Sequence, residues 1–109
     1  MKQEAFDEIM HHRMKVCEDV LRQKSSEYST DEDKLHNFKR AAGMLRCSPE
    51  RALVGMMAKH VISVLDIVDA FSEDRGFSSS VFDEKITDTI NYLILLEALI
   101  KERCGQCPE

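Results

Sequence analysis

Apolar residues recur every third or fourth position through nearly the whole chain, and nowhere do they alternate with period two over a useful length. That pattern is one face of a helix repeated several times, and it leaves no candidate strand. Four glycines and two prolines are too few to punctuate a sheet of short strands. The chain therefore reads as all-α.

Four helical segments follow from the pattern. The first runs from about Gln3 to Lys24, with Phe6, Ile9/Met10, Arg13/Met14, Cys17 and Val20/Leu21 on one stripe. The polar stretch 25–30 interrupts it. The second starts near Thr30, a capping residue followed by Asp31, Glu32 and Asp33 at the positive end of the helix dipole. Leu35, Phe38, Ala42 and Leu45 line its apolar side, and it ends near Cys47. Ser48-Pro49-Glu50 is a start signal: a serine cap, proline at the first helical position, an acid in the first turn. The third helix runs from there to about Ser72, with Leu53, Met57, His60/Val61, Val64, Val68 and Phe71 as its core stripe. His60 falls on that stripe and is read as a packed histidine; Met56 and Met57 are read as core. The fourth helix starts around 80–83 and runs to about Arg103. Its second half is apolar on most sides, so it is expected at the centre of a bundle or at a subunit interface.

A chain of 109 residues fits one domain. The expected organisation is a single helical domain over 1–109, its core 3–103 and its tail 104–109. At this size folding buries only about 60–70% of the unfolded surface. Helix pairing between subunits would bury more, so the four-helix bundle is expected to be a homo-oligomer, dimer or higher. The net charge of −5 argues against a nucleic-acid polymer as partner. The longest apolar stretch, Ile94–Ile100, is interrupted by Glu97, and no run reaches the ~18 residues of a membrane span. With no apolar signal core at the N-terminus, a cytoplasmic location is expected and the four cysteines should be thiols. Cys104 and Cys107 form a CxxC with no second pair of ligands at zinc spacing, so no zinc is expected.

The residues that can carry chemistry are acids on two helices. On the third, Lys59, Ser63, Asp66 and Ala70 share a stripe, with Asp69 beside Asp66. On the fourth, Glu84, Asp88 and Asn91 follow at helical spacing. If these faces meet, the oxygens form a cluster whose mutual repulsion needs cations, and Mg²⁺ takes oxygen ligands, keeps waters and bridges to phosphates. The competing reading is a solvated helix face, with Asp83 and Glu84 serving the helix N-terminus. Asp88 and Asn91 weigh against it, because an isoleucine-rich helix places two of its few polar residues on one side. A second polar set, His36, Asn37, Lys39 and Arg40, offers donors suited to a phosphate or a base edge. Tyr28 stands before it, where a ring could stack on a base or close a core edge. No nucleophile elbow and no phosphate-cradling glycine loop is present.

Glu27-Tyr28-Ser29, His36-Asn37-Phe38-Lys39, Met57-Ala58-Lys59-His60 and the run 83–93 (DEKITDTINYL) together resemble small phage-borne domains of the nucleotide-modification-associated kind. These look like distant relatives of the MazG-like all-α nucleoside triphosphate pyrophosphohydrolases. The resemblance spans roughly residues 27–101. It implies an oligomeric helical bundle, in the host cytoplasm if phage-encoded, with Mg²⁺ held by carboxylates on two helices and water attack releasing pyrophosphate. The family pairs an E-x-x-E helix with an E-x-x-D helix. Asp66-Ile67-Val68-Asp69 would stand for the first and Lys85-Ile86-Thr87-Asp88 for the second. Lysine then occupies a glutamate's place, with Glu84 one residue away to substitute. On this expectation Asp66, Asp69, Glu84 and Asp88 hold metal, and Glu84 and Asp88 are the catalytic pair. Tyr28, His36, Asn37, Lys39, Arg40, Lys59 and Asn91 meet the nucleotide. The departure at Lys85 leaves open a binder that does not hydrolyse, such as a sponge for a host signalling nucleotide. A helical protein-interaction module is the third possibility.

Overall fold

The computed structural model describes residues 1–28 and 33–108, with the side chains of 25–28 excepted. It contains four helices in chain order: α1 (Gln3–Tyr28), α2 (His36–Leu45), α3 (Pro49–Ser72) and α4 (Ser79–Arg103). Among the described residues there is no strand.

The start of α3 follows its sequence signal. Ser48 Oγ accepts the Arg51 N–H at 3.1 Å, and Pro49 takes the first position, where its missing N–H costs nothing. Ser78 caps α4 in the same way through the Val81 N–H. Between α2 and α3 the chain turns at Arg46, which adopts a left-handed conformation (φ 56°). That turn lets the N–H groups of Arg46 and Cys47 both return to Ala42 O. The end of α4 closes similarly: Gly105, at φ 69°, allows Gln106 N–H to reach Lys101 O at 2.7 Å.

Two boundaries differ from the sequence reading. The first helix continues past Lys24 to Tyr28, because serine and glutamate weaken a helix only slightly. The second starts at His36, later than expected, with Leu35 at its cap position and no side-chain cap bond. Asp33 organises that start from outside, its Oδ1 accepting the Leu35 N–H at 3.0 Å. The proposed Thr30 cap, with Asp31 and Glu32, lies outside the described residues, as does the side chain of Tyr28.

The core sits between α2, α3 and α4. Leu35, Phe38, Leu53 and Leu99 form its buried cluster, and Met56, Tyr92, Leu95 and Leu96 pack on it. The Phe38 and Tyr92 rings meet edge-on at 6.4 Å. Helix α3 packs against both α2 and α4, whereas α1 joins the fold chiefly through α4. The order of packing is therefore α2, α3, α4, α1, with α3 and α4 in the middle. The expected core stripe of α3 is only half right: Leu53 and His60 are buried, but Val68 and Phe71 are exposed, as is Leu45 at the end of α2. Helix α1 ends its own tertiary burial at Arg13; of residues 1–12 all side chains are exposed except the half-buried Asp7.

No helix of the described residues is long and apolar enough to cross a membrane.

Candidate functional site

Helix α4 carries Thr87, Asp88 and Asn91 on the side that α1 and α3 cover, so three polar residues are buried in succession. Each finds a different answer to its lost hydration. Thr87 Oγ1 receives a hydrogen bond from Arg13 Nη1 at 2.7 Å. The same guanidinium binds the Asp83 carboxylate with Nη2 at 2.7 Å, and so clamps α1 to the first turns of α4. Asn91 donates from Nδ2 to the Cys17 carbonyl at 3.1 Å. Asp88 Oδ1 receives Lys24 Nζ at 3.1 Å, and Asp88 Oδ2 faces His60 Nδ1 at 3.5 Å.

The electrostatics of this cluster are uneven. Asp88 is 5% exposed, while its cation Lys24 remains half in water. Burial pushes the His60 imidazole below its ordinary pKa. Asp88 pulls the other way, and Lys85, Lys59 and Lys24 oppose protonation. Burial and the three lysines thus disfavour the charged imidazole, whose ring lies tilted on Tyr92 at 5.2 Å between centroids. The His60 Nδ1 and the Asn91 Oδ1 are buried without a hydrogen-bond partner. Buried polar atoms of this kind are uncommon. Burial also raises the Cys17 thiol pKa.

Above Asp88 an open groove of about 380 Å³ lies between α1 and α4. Val16, Val20, Gln23 and Lys24 form one wall; Asp83, Glu84, Thr87 and Asp88 form the other. Of the residues singled out from sequence, this groove brings together Glu84 and Asp88, one helical turn apart, with Asn91 a further turn along. It does not bring in the others. Asp66, Asp69 and Lys59 are exposed on α3 and do not line it. The expected four-carboxylate cluster is not formed within one chain: among the described residues no three of His, Cys, Asp and Glu are placed to hold a metal ion. Spacing defines a stripe but not the direction it faces, and the α3 acids face outward.

Lys39 is engaged elsewhere. Its ammonium binds Asp33 at 2.8 Å and also Glu102, and it lines a second groove with Ser48, Glu50, Leu99 and Arg103. His36 is half-buried, and Asn37 and Arg40 are exposed on α2.

Two contributors escaped the sequence reading. Arg13 was visible only as a charge inside the apolar stripe of the first helix, which is the signal that would have found it. Lys24 gave no signal beyond closing that stripe.

The pair Glu84 and Asp88 is compatible with magnesium, which is commonly held by one or two carboxylates with water and phosphate oxygens completing its shell. No family model, curated protein or solved structure matches this chain.

Proposed function

We propose that this chain is a homo-oligomeric, MazG-like helical protein that binds a nucleotide with magnesium in the α1–α4 groove. The observation that carries the reading is the buried Asp88 carboxylate with Glu84 one turn away on the wall of one open groove. A carboxylate taken this far from water is costly unless it is paired; Lys24, itself half in water, is its partner within the chain, and a metal ion would take that place when a nucleotide enters. Glu84 and Asp88 would hold the metal, which when bound supplies charge neutralisation on the ligand's phosphates. Lys24 stands where its ammonium can turn from Asp88 to a phosphate oxygen, since it is only half-buried. Asn91 and His60 fix the shape of the floor under Asp88. Lys59, Asp66 and Asp69 on α3, and His36, Asn37, Lys39 and Arg40 on α2, would take part from a neighbouring subunit or on closure of the groove; Tyr28, at the end of α1, is proposed to meet the base.

The reaction this chemistry would support is hydrolysis of a nucleoside triphosphate to monophosphate and pyrophosphate, in the host cytoplasm if the chain is phage-encoded. A non-catalytic binder is favoured by one specific observation: lysine stands at position 85, where the family resemblance calls for a glutamate. Incubation with a panel of nucleoside triphosphates and Mg²⁺, assayed for pyrophosphate, separates the two. Release identifies a hydrolase. Calorimetric binding without release identifies a binder. Neither heat nor release overturns the nucleotide reading and leaves a protein-interaction module.

A further inference from the structure

Two thiols stand together where α4 ends. Cys104 is the capping residue of that helix and Cys107 follows in a C-x-x-C spacing. Both are exposed free cysteines, whereas Cys17 is buried and Cys47 half-buried. A thiol-reactive molecule arriving from water therefore meets Cys104 and Cys107 first.

The chain between the two is folded back on the helix. Gly105 N–H donates to Glu102 O at 3.1 Å and Gln106 N–H to Lys101 O at 2.7 Å, the double closure of a Schellman turn. Gly105 takes the left-handed conformation (φ 69°) that this turn requires. Cys104 is thus fixed by the helix and Gln106 by its bond back to it. Pro108 removes the helical region for Cys107. Few torsions remain to be ordered for the sulfurs to meet, so closing the ring costs little chain entropy.

The surroundings favour a disulfide over a metal. Two thiolates are half of a tetrahedral zinc site, and among the described residues no three of His, Cys, Asp and Glu are placed to share a metal ion. Where such a pair opens a helix, the dipole stabilises the reduced, charged form and makes the disulfide a strong oxidant. Here the pair follows a helix C-terminus. The cations of the last turn are engaged, Lys101 with Glu97 at 3.4 Å and Arg103 with Glu50 at 3.2 Å. The neutral disulfide is the form this position favours.

We propose that Cys104 and Cys107 are a reversible dithiol–disulfide centre that exchanges with low-molecular-weight disulfides of the glutathione class. One thiolate attacks a sulfur of glutathione disulfide, forming a mixed disulfide and expelling a glutathione thiolate. The second thiolate attacks the protein sulfur of that mixed disulfide and expels the other glutathione. The chain gives up two electrons and two protons, and the two glutathione thiols released carry them. Neither cysteine lines the α1–α4 groove, so the exchange does not depend on nucleotide binding.

Mass spectrometry of the native chain after incubation with glutathione disulfide and acid quenching tests it. The wild type is expected to lose the mass of two hydrogens, with a Cys104–Cys107 bond, no retained glutathione, and recovery of the dithiol in dithiothreitol. Cys107→Ser and Cys104→Ser are each expected to stop at one glutathione adduct on the remaining cysteine of the pair, because the resolving thiol is missing. A wild type that keeps both thiols, or that carries a glutathione on each, overturns the proposal. So does a bond from either cysteine to Cys47 or to a second chain. One zinc ion per chain in the purified protein, lost in both serine variants, overturns it in favour of a metal half-site.

Discussion

Lys24 Nζ and Asp88 Oδ1 stand 3.1 Å apart across the α1–α4 contact, and only the carboxylate is buried. The two halves of this pair should therefore respond unequally to removal. Lys24→Ala leaves a buried carboxylate facing an imidazole whose charged form burial disfavours, and is expected to cost about 1–3 kcal/mol. Asp88→Asn removes the buried charge and frees Lys24 into water, and should cost less. Urea denaturation of the two single variants and the double variant checks this. Equal losses from both single variants would mean that the carboxylate is not buried in solution.

Leu53 is fully buried in the cluster with Leu35, Phe38 and Leu99. Leu53→Ala deletes side-chain carbons where α2, α3 and α4 meet, and should cost about 2–5 kcal/mol. Chemical denaturation measures it. A loss below 1 kcal/mol, taken as about the lower edge of core truncations, would place the core elsewhere.

The start of α2 depends on an acid in front of it. The hydrogen bond from Lys39, and then that from the Leu35 N–H, hold the Asp33 carboxyl below its ordinary pKa. A lowered folded value means that the unfolded state binds the proton more readily. The contribution of Asp33 is present in full above the unfolded value, about 3.9, and is lost as pH falls through the lower folded value. The stability difference between wild type and Asp33→Asn should shrink across that acid window and stay constant above it. Because the groups are largely exposed, the effect is small. A difference that grows on acidification would contradict the assignment.

Cysteine reactivity reports on the α1–α4 contact. Cys17 is buried there and its thiol pKa is raised by burial, whereas Cys104 and Cys107 are exposed. Iodoacetamide at mildly alkaline pH should label Cys104 and Cys107 in the native protein and Cys17 only on unfolding, as read by peptide mass spectrometry. Native labelling of Cys17 at the rate of the tail thiols would show that α1 does not stay on α4.

Much of the fold was legible because its signals are local. The Ser48-Pro49-Glu50 start and the end of α3 near Ser72 fall where the sequence puts them, since caps and proline act within one turn. Asp88 and Asn91 stood out for the same reason: polar residues on an apolar helix are conspicuous in one dimension. The direction a stripe faces is a tertiary property. Asp66 and Asp69 share the spacing of metal ligands and yet point outward, while Val68 and Phe71 share the spacing of core residues and are exposed. Nor does periodicity tell a covered stripe from an uncovered one: the stripe from Phe6 to Leu21 reads as continuous, yet the chain itself covers only its second half. The late start of α2 was hidden because Asp33 acts from outside the helix, through Leu35 and Lys39, and not as a cap.

The groove between α1 and α4 is the centre of the functional account, and calorimetry with a nucleoside triphosphate, with and without Mg²⁺, tests it most directly. The wild-type chain should bind with a heat that requires Mg²⁺, and Glu84→Gln and Asp88→Asn, each folded by circular dichroism, should lose that heat. Mg²⁺-dependent binding that both variants retain would contradict the groove as the site, and no binding by the wild-type chain would contradict the nucleotide itself.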